Sequence, residues 1–202
     1  MNKSPFFIID AFLSPLECED IVERSYFEFP NKENGVPVKS TTQNVLSQNR
    51  ILPYLEELVP ILEEYYDYEH AGILPLSIEC YPENCRPEGL RSENSMKMEG
   101  RWRRVNDHDF TGVIFLKDSS SDTNFDDYFE VYGTKLEFPH HQFGFLPERG
   151  QLIIFPSAPN FVNSTTSPKL GDMYQMRFQI VGMDPYNYDM RKFPGNYSTW
   201  FS

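Results

Sequence analysis

Four short apolar runs dominate the second half of the chain: FTGVIFL (110–116), TKLEF (134–138), QLIIF (151–155) and YQMRFQI (174–180). Each has the length and the β-branched or aromatic content of a buried strand, and QLIIF reads as buried on both faces. Upstream, Ile78 and Cys80 alternate with Ser77, Glu79 and Tyr81, the pattern of a half-buried strand. FFIIDAF (6–12) is a further strand candidate. It leads into Ser14-Pro15-Leu16-Glu17, a capping box with proline at the first helical position. Cys18, Ile21, Val22, Ser25 and Tyr26 then share one helical face, which predicts a helix over 15–28. Leu52, Leu55, Leu58, Val59, Leu62 and Tyr66 predict a second helix. Pro53 is expected to start it and Pro60 to kink or divide it.

The intervening stretches are polar. NKENGVPVKSTTQN (31–44), ENCRPEGLRSENS (83–95) and KDSSSDTNFDD (117–127) read as loops, and MKMEGRWRRVNDHD (96–109) as a lead-in to FTGVIFL. Two helices followed by about seven or eight short strands predict an α+β, mainly β fold. The expected architecture is a double-stranded β-helix (jelly roll) with the N-terminal helices packed on one sheet. One domain over 1–202 is expected, with a helical layer at 1–70, a barrel at 73–182 and an aromatic tail at 183–202.

A chain of 202 residues is long enough to bury a proper core. Its net charge of −12 repels phosphate backbones, so nucleic acid is not an expected partner. No apolar run approaches the ~20 residues of a membrane span, and the first one is too short for a secretory signal, so neither membrane nor secretion is expected. Cys18, Cys80 and Cys85 lack zinc-site spacing and read as reduced thiols. Asp122-x-Asn124-x-Asp126 starts like a calcium loop but lacks the following glycine and the distal glutamate, so it reads as a solvated loop.

The order of apolar strand, DAFLSPLEC and helix, together with IECY (78–81), FTGVIFLKD (110–118) and LPERGQLIIFPS (146–157), resembles prolyl 4-hydroxylase-like dioxygenases dependent on 2-oxoglutarate and Fe(II). More narrowly, EVYGTKLEFPHHQFGFLPERG (130–150) is similar to small dioxygenase-like proteins of marine contractile-tailed phages. The resemblance implies an iron site of two histidines and one carboxylate, the first pair spaced His-x-Asp or His-x-Glu just ahead of FTGVIFL. His70, His108, His140 and His141 are followed two places on by Gly72, Phe110, Gln142 and Phe143, so none begins that motif. On the resemblance, the metal positions fall vestigially at Arg104, Asn106 and, within SAPNFVN, Asn160. His108, Asp109 and His141 are the alternative metal set, although adjacent strand residues point to opposite faces. Arg177, on the last long strand, is where a 2-oxoglutarate carboxylate would be held.

These readings lead to a non-catalytic protein of the dioxygenase fold, a pseudoenzyme kept as a structural or docking module. No cofactor is expected. In the phage setting it would be a virion component of the neck or tail, found in the virion or host cytoplasm, oligomeric and bound to other proteins of a larger assembly. Tyr186, Tyr188, Phe193, Tyr197, Trp200 and Phe201 are the expected partner interface, with folding back onto the helices as the competing expectation. The alternative function is an active dioxygenase, using Fe(II) and 2-oxoglutarate to hydroxylate a prolyl or other peptide residue. A third reading is a jelly-roll module binding a sugar or small acid through Trp102 or Trp200.

Overall fold

The computed structural model describes residues 4–25, 35–40, 45–117, 134–169 and 171–182. In chain order the elements are β1 (Phe7–Ile9), α1 (Pro15–Ser25), β2 (Val38–Ser40), α2 (Val45–Tyr66), β3 (His70–Ile73), β4 (Ser77–Tyr81), β5 (Ser95–Met98), β6 (Arg101–Arg104), β7 (His108–Phe115), β8 (Leu136–Phe138), β9 (Phe143–Phe145), β10 (Leu152–Pro156), β11 (Ser164–Thr165) and β12 (Met173–Gly182). Short 3-10 turns lie at Pro139–His141 and Pro159–Phe161. A seven-stranded sheet runs β1-β10-β7-β12-β4-β2, with β3 also on β12. A three-stranded sheet runs β11-β8-β9, and β5 pairs with β6 alone. The arrangement is the expected jelly roll with helices on one sheet, although β1 and β2 from the first 70 residues join that sheet rather than the helical layer.

The two-residue period of the strands sorts the large sheet into two buried faces. Ile78, Phe110, Ile114, Ile154, Met176 and Phe178 face Leu55, Leu58 and Leu62 of α2. Val113, Phe115, Ile153, Phe155 and Met173 face Leu136, Phe138 and Phe161 inside the barrel. A sheet covered on both sides explains why β7 and β10 are buried along their whole length. It also corrects the reading of β4, whose five residues are all buried. The polar side with Ser77, Glu79 and Tyr81 faces the barrel interior, because the small sheet closes over it.

The capping box forms as expected: the Glu17 amide donates to Ser14 Oγ at 3.3 Å, and the Ser14 amide donates to the Glu17 carboxylate at 2.9 Å. Helix α2 is continuous, so Pro53 does not start it and Pro60 does not divide it. Both prolines are exposed and lie seven residues apart, hence on the same solvent face. The carbonyls they leave without partners can be hydrated, while Leu55, Leu58 and Leu62 hold the opposite face. The Tyr66 hydroxyl sits 3.0 Å from the carbonyls of Pro5 and Ile154, tying the end of α2 to the edge of the sheet.

MKMEGRWRR is not a lead-in to β7 but the β5–β6 hairpin. Glu99 (φ 52) and Gly100 (φ 80) both take the left-handed conformation of a tight two-residue hairpin turn. The aromatic tail from Tyr186 to Phe201 and the loop at 118–133, with Asp122, Asn124 and Asp126, lie outside the described residues.

Candidate functional site

The barrel interior contains a cluster of charges. Strands β4 and β12 are antiparallel neighbours with Glu79 opposite Gln175, and the strand period puts Arg177 on the same inward face as Gln175. Gln175 Nε2 donates to Glu79 Oε2 at 2.7 Å, and Arg177 Nε lies 3.3 Å from the same oxygen. The loop after β4 delivers the rest. Glu93 Oε1 receives Arg177 Nη1, Arg91 Nε at 3.1 Å and Asn163 Nδ2 at 3.1 Å. Arg91 also pairs with Glu88, and its Nη2 lies 3.6 Å from Glu79. Reciprocal backbone hydrogen bonds of 2.9 Å between Arg91 and Asn163 fix this loop against the segment before β11. The side chains of Arg177, Glu79 and Glu93 are 1%, 4% and 8% exposed, so these ions are almost wholly removed from water.

Such burial is tolerable only because the charges balance. Arg91 and Arg177 face Glu79, Glu88 and Glu93, and Lys39 approaches Glu79 from the surface at 3.8 Å. Burial pushes the Glu79 carboxyl up, but Arg177, Arg91 and the Gln175 amide outweigh it and hold the group down at about 2. Glu93 is likewise lowered, burial being overcome by Arg177 and Arg91. Burial also works against the Arg177 charge, yet Glu93 and Glu79 raise it overall.

The depressed carboxyls make stability pH-dependent in a definite direction. Glu79 has a folded value of about 2 against 4.5 for an unperturbed group. Its contribution is therefore complete above 4.5 and is lost as the pH falls from there toward 2. Urea midpoints should hold near neutrality and then drop as acid enters that window. A flat profile down to about pH 3 would show that the pairs contribute little.

Of the predicted site residues, Asn106 lies beside the cluster, its Nδ2 donating to the Glu93 carbonyl at 3.2 Å. Arg104 Nε donates to the Asn106 carbonyl at 2.9 Å, and Arg104 Nη2 pairs with Asp109 at 2.9 Å. Asn160 lies in the second 3-10 turn, where its backbone hydrogen-bonds His141. Its own amide atoms are buried without a hydrogen-bond partner. The charge cluster itself is built by Glu79, Arg91, Glu93, Asn163 and Arg177.

The residues of the alternative set, His108, Asp109 and His141, each have other neighbours. His141 stacks on Phe161 at 4.4 Å between ring centroids. His108 bonds the Glu93 backbone, and Asp109 faces Tyr68, Arg104 and the Gly182 amide. Among the described residues no group of three His, Cys, Asp or Glu side chains is placed to hold a metal. Burial lowers His108 and His141 alike, favouring neutral rings. Arg177 is inward-facing as expected, but it is committed to Glu79 and Glu93.

Among the described residues, the charge cluster does not suit iron. The cluster offers no imidazole, and its two guanidiniums would repel a divalent cation. Toward 2-oxoglutarate, Arg177 has Nε and Nη1 engaged by Glu79 and Glu93, while its buried Nη2 has no hydrogen-bond partner among the described residues. The signal that could have located the cluster was present: Arg91-x-Glu93 has the spacing of a His-x-acid pair, and Asn163 ends the same SAPNFVN segment.

Solved structures similar to the chain include prolyl hydroxylases. The viral collagen prolyl hydroxylase of Paramecium Bursaria Chlorella virus-1 has a TM-score of 0.67 at 13% identity, covering 89% of this chain and 91% of that one. A prolyl hydroxylase of Trichoplax adhaerens, solved with a hypoxia inducible factor peptide, has a TM-score of 0.62 at 14% identity, covering 93% and 88%. A Pseudomonas putida prolyl-4-hydroxylase has 0.60 at 10% identity, covering 88% and 92%. No family model matches the sequence, and no curated protein does. The chain thus has the double-stranded β-helix fold of the prolyl hydroxylase-type 2-oxoglutarate and Fe(II) oxygenases.

Proposed function

We propose that this is a non-catalytic protein of the prolyl hydroxylase fold, serving as a structural or docking module in a larger assembly. In this reading Arg91, Glu93 and Asn163, rather than Arg104, Asn106 and Asn160, stand where the fold's iron ligands would be. The observation that carries it is the engagement of Arg177, whose Nε and Nη1 are paired with the buried carboxylates of Glu79 and Glu93. A fold that loses its chemistry keeps a rigid scaffold, and function then resides in its surfaces. The phage virion setting, at the neck or tail, rests on the sequence resemblance of residues 130–150.

The alternative, an active dioxygenase acting on a prolyl or other peptide residue, is favoured by the fold itself, which includes a viral neighbour solved with 2-oxoglutarate. Incubating the purified chain with Fe(II), ascorbate, oxygen and 2-oxoglutarate separates the two. The proposal expects no succinate above the no-enzyme background. Catalytic succinate release that disappears in Arg177→Met would overturn it.

A further inference from the structure

The β5–β6 hairpin is a basic island on an acidic protein. Residues 95–104 carry Lys97, Arg101, Arg103 and Arg104 against Glu99 alone, a local +3 on a chain of net −12. The register pairs Met96 with Arg103 and Met98 with Arg101, so these four side chains share one face of the hairpin. That face is exposed, with Met96 at 57% and Met98 at 44%. Arg103 has only a loose 3.8 Å pairing with Glu99, itself exposed. The base of the hairpin is fixed: the Val105 amide donates to the Asn94 carbonyl at 2.8 Å, and Arg104 pairs with buried Asp109. Flexible methionines beside arginines are a composition favoured at protein interfaces.

A complementary surface exists on the same chain. Between α2 and β3 lies an open groove of about 360 Å³. Leu52, Val59 and Ile73 supply its apolar wall, with Glu56, Glu63 and His70 around them. His70 Nδ1 lies 2.8 Å from Glu63, while Glu56 is exposed. The groove thus offers an apolar centre with an acidic rim, and the hairpin an apolar centre with a basic one. Among the described residues the hairpin does not fill the groove, so neither surface covers the other within one chain.

We infer that the chain self-associates, the Met96–Met98 face of the hairpin of one copy docking into the α2–β3 groove of a second copy. Charge complementarity selects the occupant, because everything outside the hairpin carries −15, leaving a second copy a strongly acidic target. The contact joins two different surfaces, so it closes as a reciprocal pair or a ring, or else propagates. It is independent of the interior charge cluster, and an iron-binding chain would make the same contact.

Sedimentation velocity of the intact chain across a concentration and salt series tests it. Mass should rise with concentration at low salt and fall back toward the monomer as salt screens the rims. Arg101→Glu with Arg103→Glu should leave a monomer of unchanged melting temperature, and adding Glu56→Lys to that variant should restore association. A wild-type chain that stays monomeric up to about 1 mM, or association indifferent to the hairpin variant, would overturn the inference. So would a monomer whose hairpin binds a single-stranded DNA probe. Succinate release is read separately, so failure here and failure of the non-catalytic reading are distinguishable.

Discussion

Arg177→Met should destabilise the chain by about 3–5 kcal/mol, the cost of removing one partner from a buried ion pair. For a protein of this size that corresponds to a fall in melting temperature of about 6–20 °C. The reason is the state in which the substitution leaves Glu79 and Glu93. Both are nearly inaccessible to water, and both depend on Arg177 to stay charged. Methionine fills much of the same volume, so lost charge rather than a cavity dominates. The acid sensitivity should also change: with Glu79 and Glu93 driven toward protonation, the variant should recover stability relative to wild type as the pH is lowered. If Arg177 served chiefly to hold a cosubstrate, stability would barely move. Denaturant titration at two pH values reads both effects.

Gly112→Ala is expected to cost about 1–3 kcal/mol by overpacking, although it adds a single methyl. Gly112 sits in β7 opposite Phe178 of β12, and a Cβ built there would lie 2.1 Å from Phe178 Cζ. The ring is fully buried among the residues facing α2, so it has little room to withdraw. The clash is specific to that ring. In a Phe178→Leu background, Gly112→Ala should cost much less, giving a coupling the double-mutant cycle can resolve. Equal costs in both backgrounds would show that strand propensity, not the Phe178 contact, sets the effect.

The strands that bury two faces were legible in FTGVIFL and QLIIF, which are apolar almost throughout, and β12 in the alternation of YQMRFQI. The start of α1 was legible because a capping box is local chemistry. The β5–β6 hairpin was hidden by its polarity: MKM and RWR alternate around Glu99-Gly100, but neither run looks like core. The prolines of α2 misled because their effect depends on which face they occupy, and tertiary packing holds the other. The charge cluster was the least visible. Glu79 looks like the wet side of a strand until the small sheet covers it. Arg91 and Glu93 look like loop charges until the fold brings Arg177 and Asn163 beside them. Arg177 could be singled out through the family resemblance, but its partners could not.

In the proposed reading, the interior holds ion pairs in place of an iron centre. Anaerobic calorimetric titration of the purified wild-type chain with Fe(II), with and without 2-oxoglutarate, tests it most directly. No saturable one-to-one site and no gain in melting temperature are expected from either addition. A stoichiometric site strengthened by 2-oxoglutarate and abolished by Arg177→Met would contradict it.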